Sequence, residues 1–304
     1  MKSQNLNIQT YIVRYKNCKK EMLNQTRKLP NSRLRTFFRP LLRGGLWLQR
    51  KIKGFSVELL NDSEVKRPKG KSIIFAVTHI GKFDVEIVNE QIKEQFFLVA
   101  ADFVNTYGNI NGLLLNLSGI IYVDERDKAD KADTKELMIK LLQSGRNIMI
   151  FPEGTWNFSE NEIITDIAYG AAEAAISSKA VILPVALEQY GKHFVICKGD
   201  VIDPAELNAD KSILTTILRD TLATLKWKIW ENRGVYKRKD IPLNYWADFI
   251  RLRRSEWKGY LMEEQVINCY IPKDKLEYWQ VQKDLKTGKM PLWYRIVLEE
   301  GTNG

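Results

Sequence analysis

Residues 72–84 read SIIFAVTHIGKFD: a short apolar, β-branched run, a loop holding a histidine and a glycine, and an aspartate that opens DVEIVNEQI. A run of this kind, apolar almost throughout, reads as a strand covered on both faces. The aspartate ahead of spaced apolar residues signals the start of a helix. Strand, loop and helix in that order begin an α/β fold, and the loop is where such folds keep their chemistry.

The same alternation repeats on both sides of that stretch. Ser72 to Val77, Phe96 to Ala100, Gly119 to Val123, Asn147 to Phe151, Val181 to Leu187 and His193 to Cys197 read as strands. Asp84 to Ile92, Thr134 to Leu142 and the Ala-rich Asp166 to Lys179 read as helices between them. The expectation is an α/β core over residues 55–204, with a mostly parallel central sheet flanked by helices.

Four segments within that core carry chemistry. In the first, His79 lies in a strand-end loop, and four residues separate it from Asp84. A loop of that length, with Gly81 in it, lets the carboxylate return to one imidazole nitrogen. The other nitrogen is then free to take a proton from a hydroxyl. The plainer alternative is that Asp84 merely caps the helix. In the second segment, Phe151-Pro152-Glu153-Gly154-Thr155 follows the strand NIMIF. An acid, a glycine and a hydroxyl there suit a polar headgroup: Glu153 and Thr155 can bond to it, and Gly154 allows close backbone approach. The third, GIIYVDERD, runs from a buried strand into a charged loop. Arg126 there suits either a phosphate or a surface network with Asp124 and Asp127. The fourth, VILPVA around Pro184, suits either a core strand or the wall of an acyl channel.

The flanks differ from the core. Residues 1–54 hold 14 Lys or Arg against a single acid, Glu21, while the other 250 residues hold 33 basic and 36 acidic side chains. The chain's net charge of +10 therefore belongs to an N-terminal arm, which should seek a polyanion. Leu34, Phe37, Phe38, Leu41 and Leu42 recur there at helical spacing, with Arg35, Arg39 and Arg43 at the flanks and back. That pattern suits a basic amphipathic helix in a lipid headgroup layer, or one packed on the core with a solvated basic face, with Pro40 kinking or starting it and Gly44-Gly45 ending it. Residues 205–304 read as a helical C-terminal region holding six of the eight tryptophans, either interfacial anchors or core packing.

Cys18, Cys197 and Cys269 stand far apart, which speaks against a disulfide framework and a zinc site. Without a signal peptide or 18 successive apolar residues, the chain is expected in the cytoplasm, peripheral on the inner face of an anionic membrane. Nucleic-acid binding is the rival reading for the basic arm. No recognised motif supports it, and the basic residues are interleaved with Leu and Phe.

Taken in order, the four segments resemble the glycerolipid acyltransferase superfamily, with its H-x4-D block, arginine-ending block, F-P-E-G block and proline-containing hydrophobic block. The resemblance covers roughly residues 55 to 200. It implies that a His79–Asp84 pair deprotonates an acceptor hydroxyl, which attacks the thioester of acyl-CoA or acyl-carrier protein. Glu153 and Gly154 would help hold the acceptor, a lysolipid or glycerolipid precursor, and Arg126 its phosphate. No metal, cofactor or covalent enzyme intermediate is implied, and 1-acylglycerol-3-phosphate is the first acceptor to expect. Three departures stand out. Thr78 precedes the histidine where the family often has asparagine, Glu125 separates Asp124 from Arg126, and Trp156-Asn157 follows FPEGT where an arginine is common. One cation fewer and one acid more weaken the case for phosphate, unless Lys82 compensates, and bring a phosphate-free lysolipid or lyso-aminolipid into play.

Overall fold

Apolar strands that cannot face water must be covered on both sides, and the chain arranges itself accordingly. The computed structural model describes residues 32–60, 69–81, 83–101, 118–124, 127–157, 162–233 and 248. A helix α1 (Ser32–Ile52) is followed by β1 (Ser56–Leu59), β2 (Ile73–Val77), α2 (Asp84–Gln91), β3 (Phe96–Ala100) and β4 (Ile120–Tyr122). Then come α3 (Lys128–Gln143), β5 (Asn147–Ile150), α4 (Gly170–Ser178), β6 (Val181–Tyr190), β7 (His193–Lys198), α5 (Pro204–Leu207) and α6 (Lys211–Asn232).

These strands form one sheet in the order β1-β7-β6-β2-β5-β3-β4. The five strands from β6 to β4 are parallel, β7 runs antiparallel to β6, and β1 is parallel to β7. The expected α/β class with a mostly parallel sheet is therefore the fold. Alternate residues of each strand feed two apolar layers. Ile73, Phe75, Val77, Leu98 and Leu183 pack with Ile87, Val88 and Ile92 of α2 and its flank on one face. Ile74, Ala76, Val99 and Ile182 pack with α3, the alanines of α4 and Leu214, Leu218 and Leu222 of α6 on the other.

Three departures from the sequence expectation have physical causes. Strand β1 was not foreseen; SVEL is short and half polar, and it is completed by pairing with β7, far along the chain. Helix α3 begins at Lys128 rather than Thr134 because Asp127 caps it, accepting from the backbone of Ala129 and Asp130. Helix α1 is not ended by Gly44-Gly45 and continues through Pro40. Its anchors on either side of those residues are tertiary and override local propensity. Arg39, Arg43 and Arg50 turn toward the core, bonding to Asn89, Ile92 and Glu90. Phe37 and Leu41, 66% and 58% exposed, face out with Trp47, Leu48 and Ile52. The helix is amphipathic as expected, with Arg39, Arg43 and Arg50 on the inside and Lys51 exposed.

Of the C-terminal region the description reaches α5 and α6. Trp227 is partly exposed, whereas Trp230 donates from Nε1 to Glu188 Oε2 at 2.9 Å. Trp246, Trp257, Trp279 and Trp293 lie outside the described residues. No described helix is long and apolar enough to cross a membrane.

Candidate active site

Parallel neighbours end at the same edge of a sheet, so β2 and β5 deliver their loops together. Ala76 is in register with Ile150, which sets His79 and Glu153, each three residues further on, level with one another. Thr78 fixes the departure of the first loop. Its backbone N–H donates to Val185 O at 3.1 Å, and its hydroxyl accepts from Leu187 N at 2.9 Å.

His79 Nδ1 and Asp84 Oδ2 are 2.8 Å apart. With the proton on Nδ1, the imidazole donates to the carboxylate and Nε2 keeps a lone pair. Nε2 engages no described residue, and the side chain is 19% exposed while Asp84 is fully buried. The same Oδ2 also accepts from Ile80 N at 2.6 Å and Gly81 N at 2.9 Å. Asp84 is thus the first helical residue of α2, and its carboxylate bonds backward into the loop; the N-cap position belongs to Phe83, whose side chain caps nothing. The helix-cap alternative fails on that geometry. Asp84 Oδ1 is buried with no hydrogen-bond partner among the described residues.

Glu153 does not reach for a ligand. Its Oε1 accepts from His79 N at 3.1 Å, and its Oε2 accepts from both Thr165 N and Thr165 Oγ1 at 3.1 Å. The acceptor-gripping role expected for it is corrected to a brace between the base's backbone and the segment at Thr165. Burial pushes its carboxyl above the ordinary range, against the pull of Lys226 and of its own hydrogen bonds. Gly154 closes the turn with φ of +71°, a backbone that favours glycine, and its N–H donates to Phe151 O at 3.0 Å. Thr155 follows it, half-buried.

Aromatic and amide groups that the sequence did not mark as site residues complete the setting. The Phe151 ring stacks on the His79 imidazole with centroids 4.1 Å apart and 18° between planes. Trp156, buried, meets it edge-on at 6.0 Å. Asn157 N donates to His79 O at 2.9 Å, and its Nδ2 donates to Glu162 O and Ile163 O at 3.1 and 3.0 Å. The signal was present in part: Trp156-Asn157 is where the family resemblance broke. Thr165 carried no local signal at all.

The remaining predicted residues are placed less centrally. Pro184, level with Ala76, is buried in β6. A Cβ on Gly199 would fall 2.8 Å from its Cγ, so of its two readings the structure takes the core strand. Strand β4, which leads to Arg126, lies three strands from β2, roughly 14 Å away at ordinary strand spacing. Arg126 and Lys82 themselves lie outside the described residues. Among the described residues no group of His, Cys, Asp or Glu is arranged to hold a metal ion.

A base with one nitrogen tied and one open can draw a proton from a hydroxyl. Residues 59–188 match the family model described as Acyltransferase. An uncharacterised acyltransferase of Schizosaccharomyces pombe is 25% identical over 158 residues, 48% of this chain and 55% of that protein. The chain thus spans little more than half of that relative's length. The 1-acyl-sn-glycerol-3-phosphate acyltransferase of Borreliella burgdorferi is 25% identical over 197 residues, 60% of this chain and 75% of that one. Among solved structures, the 1-acyl-sn-glycerophosphate acyltransferase PlsC of Thermotoga maritima shares the fold. Its TM-score is 0.53 at 14% identity, covering 78% of this chain and 99% of that one.

Proposed function

We propose that this chain, an acyltransferase of the glycerolipid acyltransferase superfamily, moves a fatty acyl group from a thioester onto the hydroxyl of a lysolipid. His79 Nε2 takes the hydroxyl proton as the oxygen attacks the thioester carbonyl. Asp84, bonded to Nδ1, holds the tautomer and stabilises the imidazolium that forms. Collapse of the tetrahedral intermediate breaks the carbon–sulfur bond, and the imidazolium returns its proton to the departing thiolate. The observation that carries this reading is the 2.8 Å His79–Asp84 contact with Nε2 left open at a strand end. Acyl-CoA or acyl-carrier protein is the donor, and no metal or cofactor takes part.

The first acceptor to test is 1-acylglycerol-3-phosphate, the substrate named for the Borreliella relative. Arg126 and Lys82 are its proposed phosphate ligands, with Gly154 and Thr155 at the turn beside the base. A phosphate-free lysolipid is favoured by one observation: buried Trp156 lies against the imidazole where the family commonly has an arginine. Product mass spectrometry after incubation with acyl-CoA and a panel of phosphorylated and phosphate-free acceptors distinguishes the two. His79→Ala should abolish every product while the fold survives; a variant with full activity would sink the assignment.

The proposed site of action is an anionic membrane surface, with the chain peripheral on the cytoplasmic side. Support comes from α1, whose outward stripe of Phe37, Leu41, Leu48 and Ile52 suits the acyl boundary of a bilayer. The same stripe speaks against nucleic acid, because a nucleic-acid footprint would turn the arginines outward.

A further inference from the structure

Helix α2 holds the catalytic carboxylate at its first residue and is only eight residues long. A helix of that length has little stability of its own and depends on what packs against it. Its C-terminal end has no basic residue in the last turn, and Ile92 at the C-cap stays extended. The carbonyls there need donors from elsewhere.

Val88 O accepts from Ile92 N, and helix α1 supplies the donors to Glu90 O and Ile92 O. Arg43 Nε and Nη2 donate to Glu90 O at 3.2 and 2.9 Å. Arg39 Nη2 donates to Ile92 O at 3.2 Å and its Nη1 to Asn89 Oδ1 at 3.1 Å. Arg50 Nε bonds to both oxygens of the Glu90 carboxylate, at 2.9 and 2.6 Å. The Arg39 guanidinium also lies over the Phe96 ring, 4.1 Å from its centre, and only 4% of the residue is exposed. Burying an arginine is costly, and a leucine would fill the same space. What an arginine adds is a planar fork that fixes direction. Three of them, spread over three turns of α1, hold one end of a short rod in orientation as well as in place.

We infer that Arg39, Arg43 and Arg50 are positioning residues for the His79–Asp84 pair, acting through helix α2; the inference rests on the reading of His79 as base. Asp84 lies six residues before Glu90, about 9 Å along the helix axis. A tilt of roughly 6° about the clamped end moves Asp84 by about 1 Å, and a misplacement of that size costs on the order of 10²-fold in rate.

The test compares Arg39→Ala, Arg39→Lys and the double change Arg50→Gln with Glu90→Gln against wild type, using a short-chain acyl-CoA and a monomeric lysolipid. Arg39→Ala should lower kcat by about 10- to 100-fold with KM kept within about threefold, below its melting temperature. Arg39→Lys, which keeps the charge but not the fork, should recover part of that loss. Folded variants with wild-type kcat would overturn the inference. A second readout does not need acyl transfer. The chain has two histidines, so His193→Gln leaves His79 as the sole imidazole for ¹⁵N NMR. Loss of the clamp should reduce the share of His79 protonated on Nδ1, and an unchanged spectrum would overturn the inference equally. If wild type transfers no acyl group, the functional reading fails by itself, and the NMR comparison still decides the clamp. Should Arg39→Ala not fold, the Arg50–Glu90 pair of changes, which removes both charges of one ion pair together, carries both measurements.

Discussion

Asp84→Asn isolates the charge of the carboxylate from its shape. Among the described residues, Asp84 has three hydrogen bonds, all on Oδ2, from His79 Nδ1, Ile80 N and Gly81 N, and Oδ1 has no partner. An asparagine can place its oxygen where Oδ2 was and its NH2 in the unpartnered position, keeping every contact. What is lost is the negative charge facing the imidazolium as the hydroxyl proton arrives. With charge centres about 4 Å apart and an effective dielectric near 20, that attraction is about 4 kcal/mol, or on the order of 10³-fold in kcat. The buried NH2, lacking an acceptor, should cost a further 1–3 kcal/mol of stability, roughly, visible as a lower Tm. Release of CoA thiol, followed by its reaction with a chromogenic disulfide, gives kcat and KM. The expected result is kcat down by about 10³ with KM little changed. A folded variant within about tenfold of wild type would refute the argument, because the carboxylate would then contribute hydrogen bonds and no electrostatics.

Three further changes separate brace, strap and core. Burial raises the Glu153 carboxyl above its ordinary value of 4.5, so the folded chain keeps a proton that the unfolded chain has released. Its contribution is fully present below the ordinary value and is lost as pH rises through the folded one. Glu153→Gln should flatten that decline in melting temperature, and an unchanged slope would contradict it. Asn157→Ala strips the donors from Glu162 O and Ile163 O and should cost about 1–3 kcal/mol, with a several-fold fall in kcat, read by melts and kinetics together. Gly199→Ala would place a Cβ 2.8 Å from Pro184 Cγ and 2.9 Å from Leu225 Cδ1. Overpacking against a proline ring should lower stability by about 1–3 kcal/mol and leave kcat per folded molecule unchanged.

How far the sequence could be read follows from how local each feature is. The strand–loop–helix around His79 was legible because its apolar run, loop and helix start are adjacent in the chain. The meeting of His79 with Glu153 was legible only as two strand ends in one parallel sheet; the register of β2 with β5 made it a contact. What Glu153 does there was misread, since a carboxylate that braces a backbone and one that grips a ligand look alike in sequence. Thr165 was invisible, because its partner lies 12 residues away across a turn. Amphipathicity identified α1 but could not say which face was inside. The acceptors waiting at the end of α2 turned Arg39, Arg43 and Arg50 inward and left the apolar stripe outside.

The inward turn of Arg39, Arg43 and Arg50 changes how α1 should come off a bilayer. Arginines turned inward stand about one helix diameter, some 10 Å, from anything lying on the outer stripe. That exceeds the Debye length of about 8 Å at physiological ionic strength. Hydrocarbon contact from Phe37, Leu41, Leu48 and Ile52 is left as the main adhesive of this helix. Concentrated salt should therefore weaken the hold of this helix little, whereas a mild detergent should undo it.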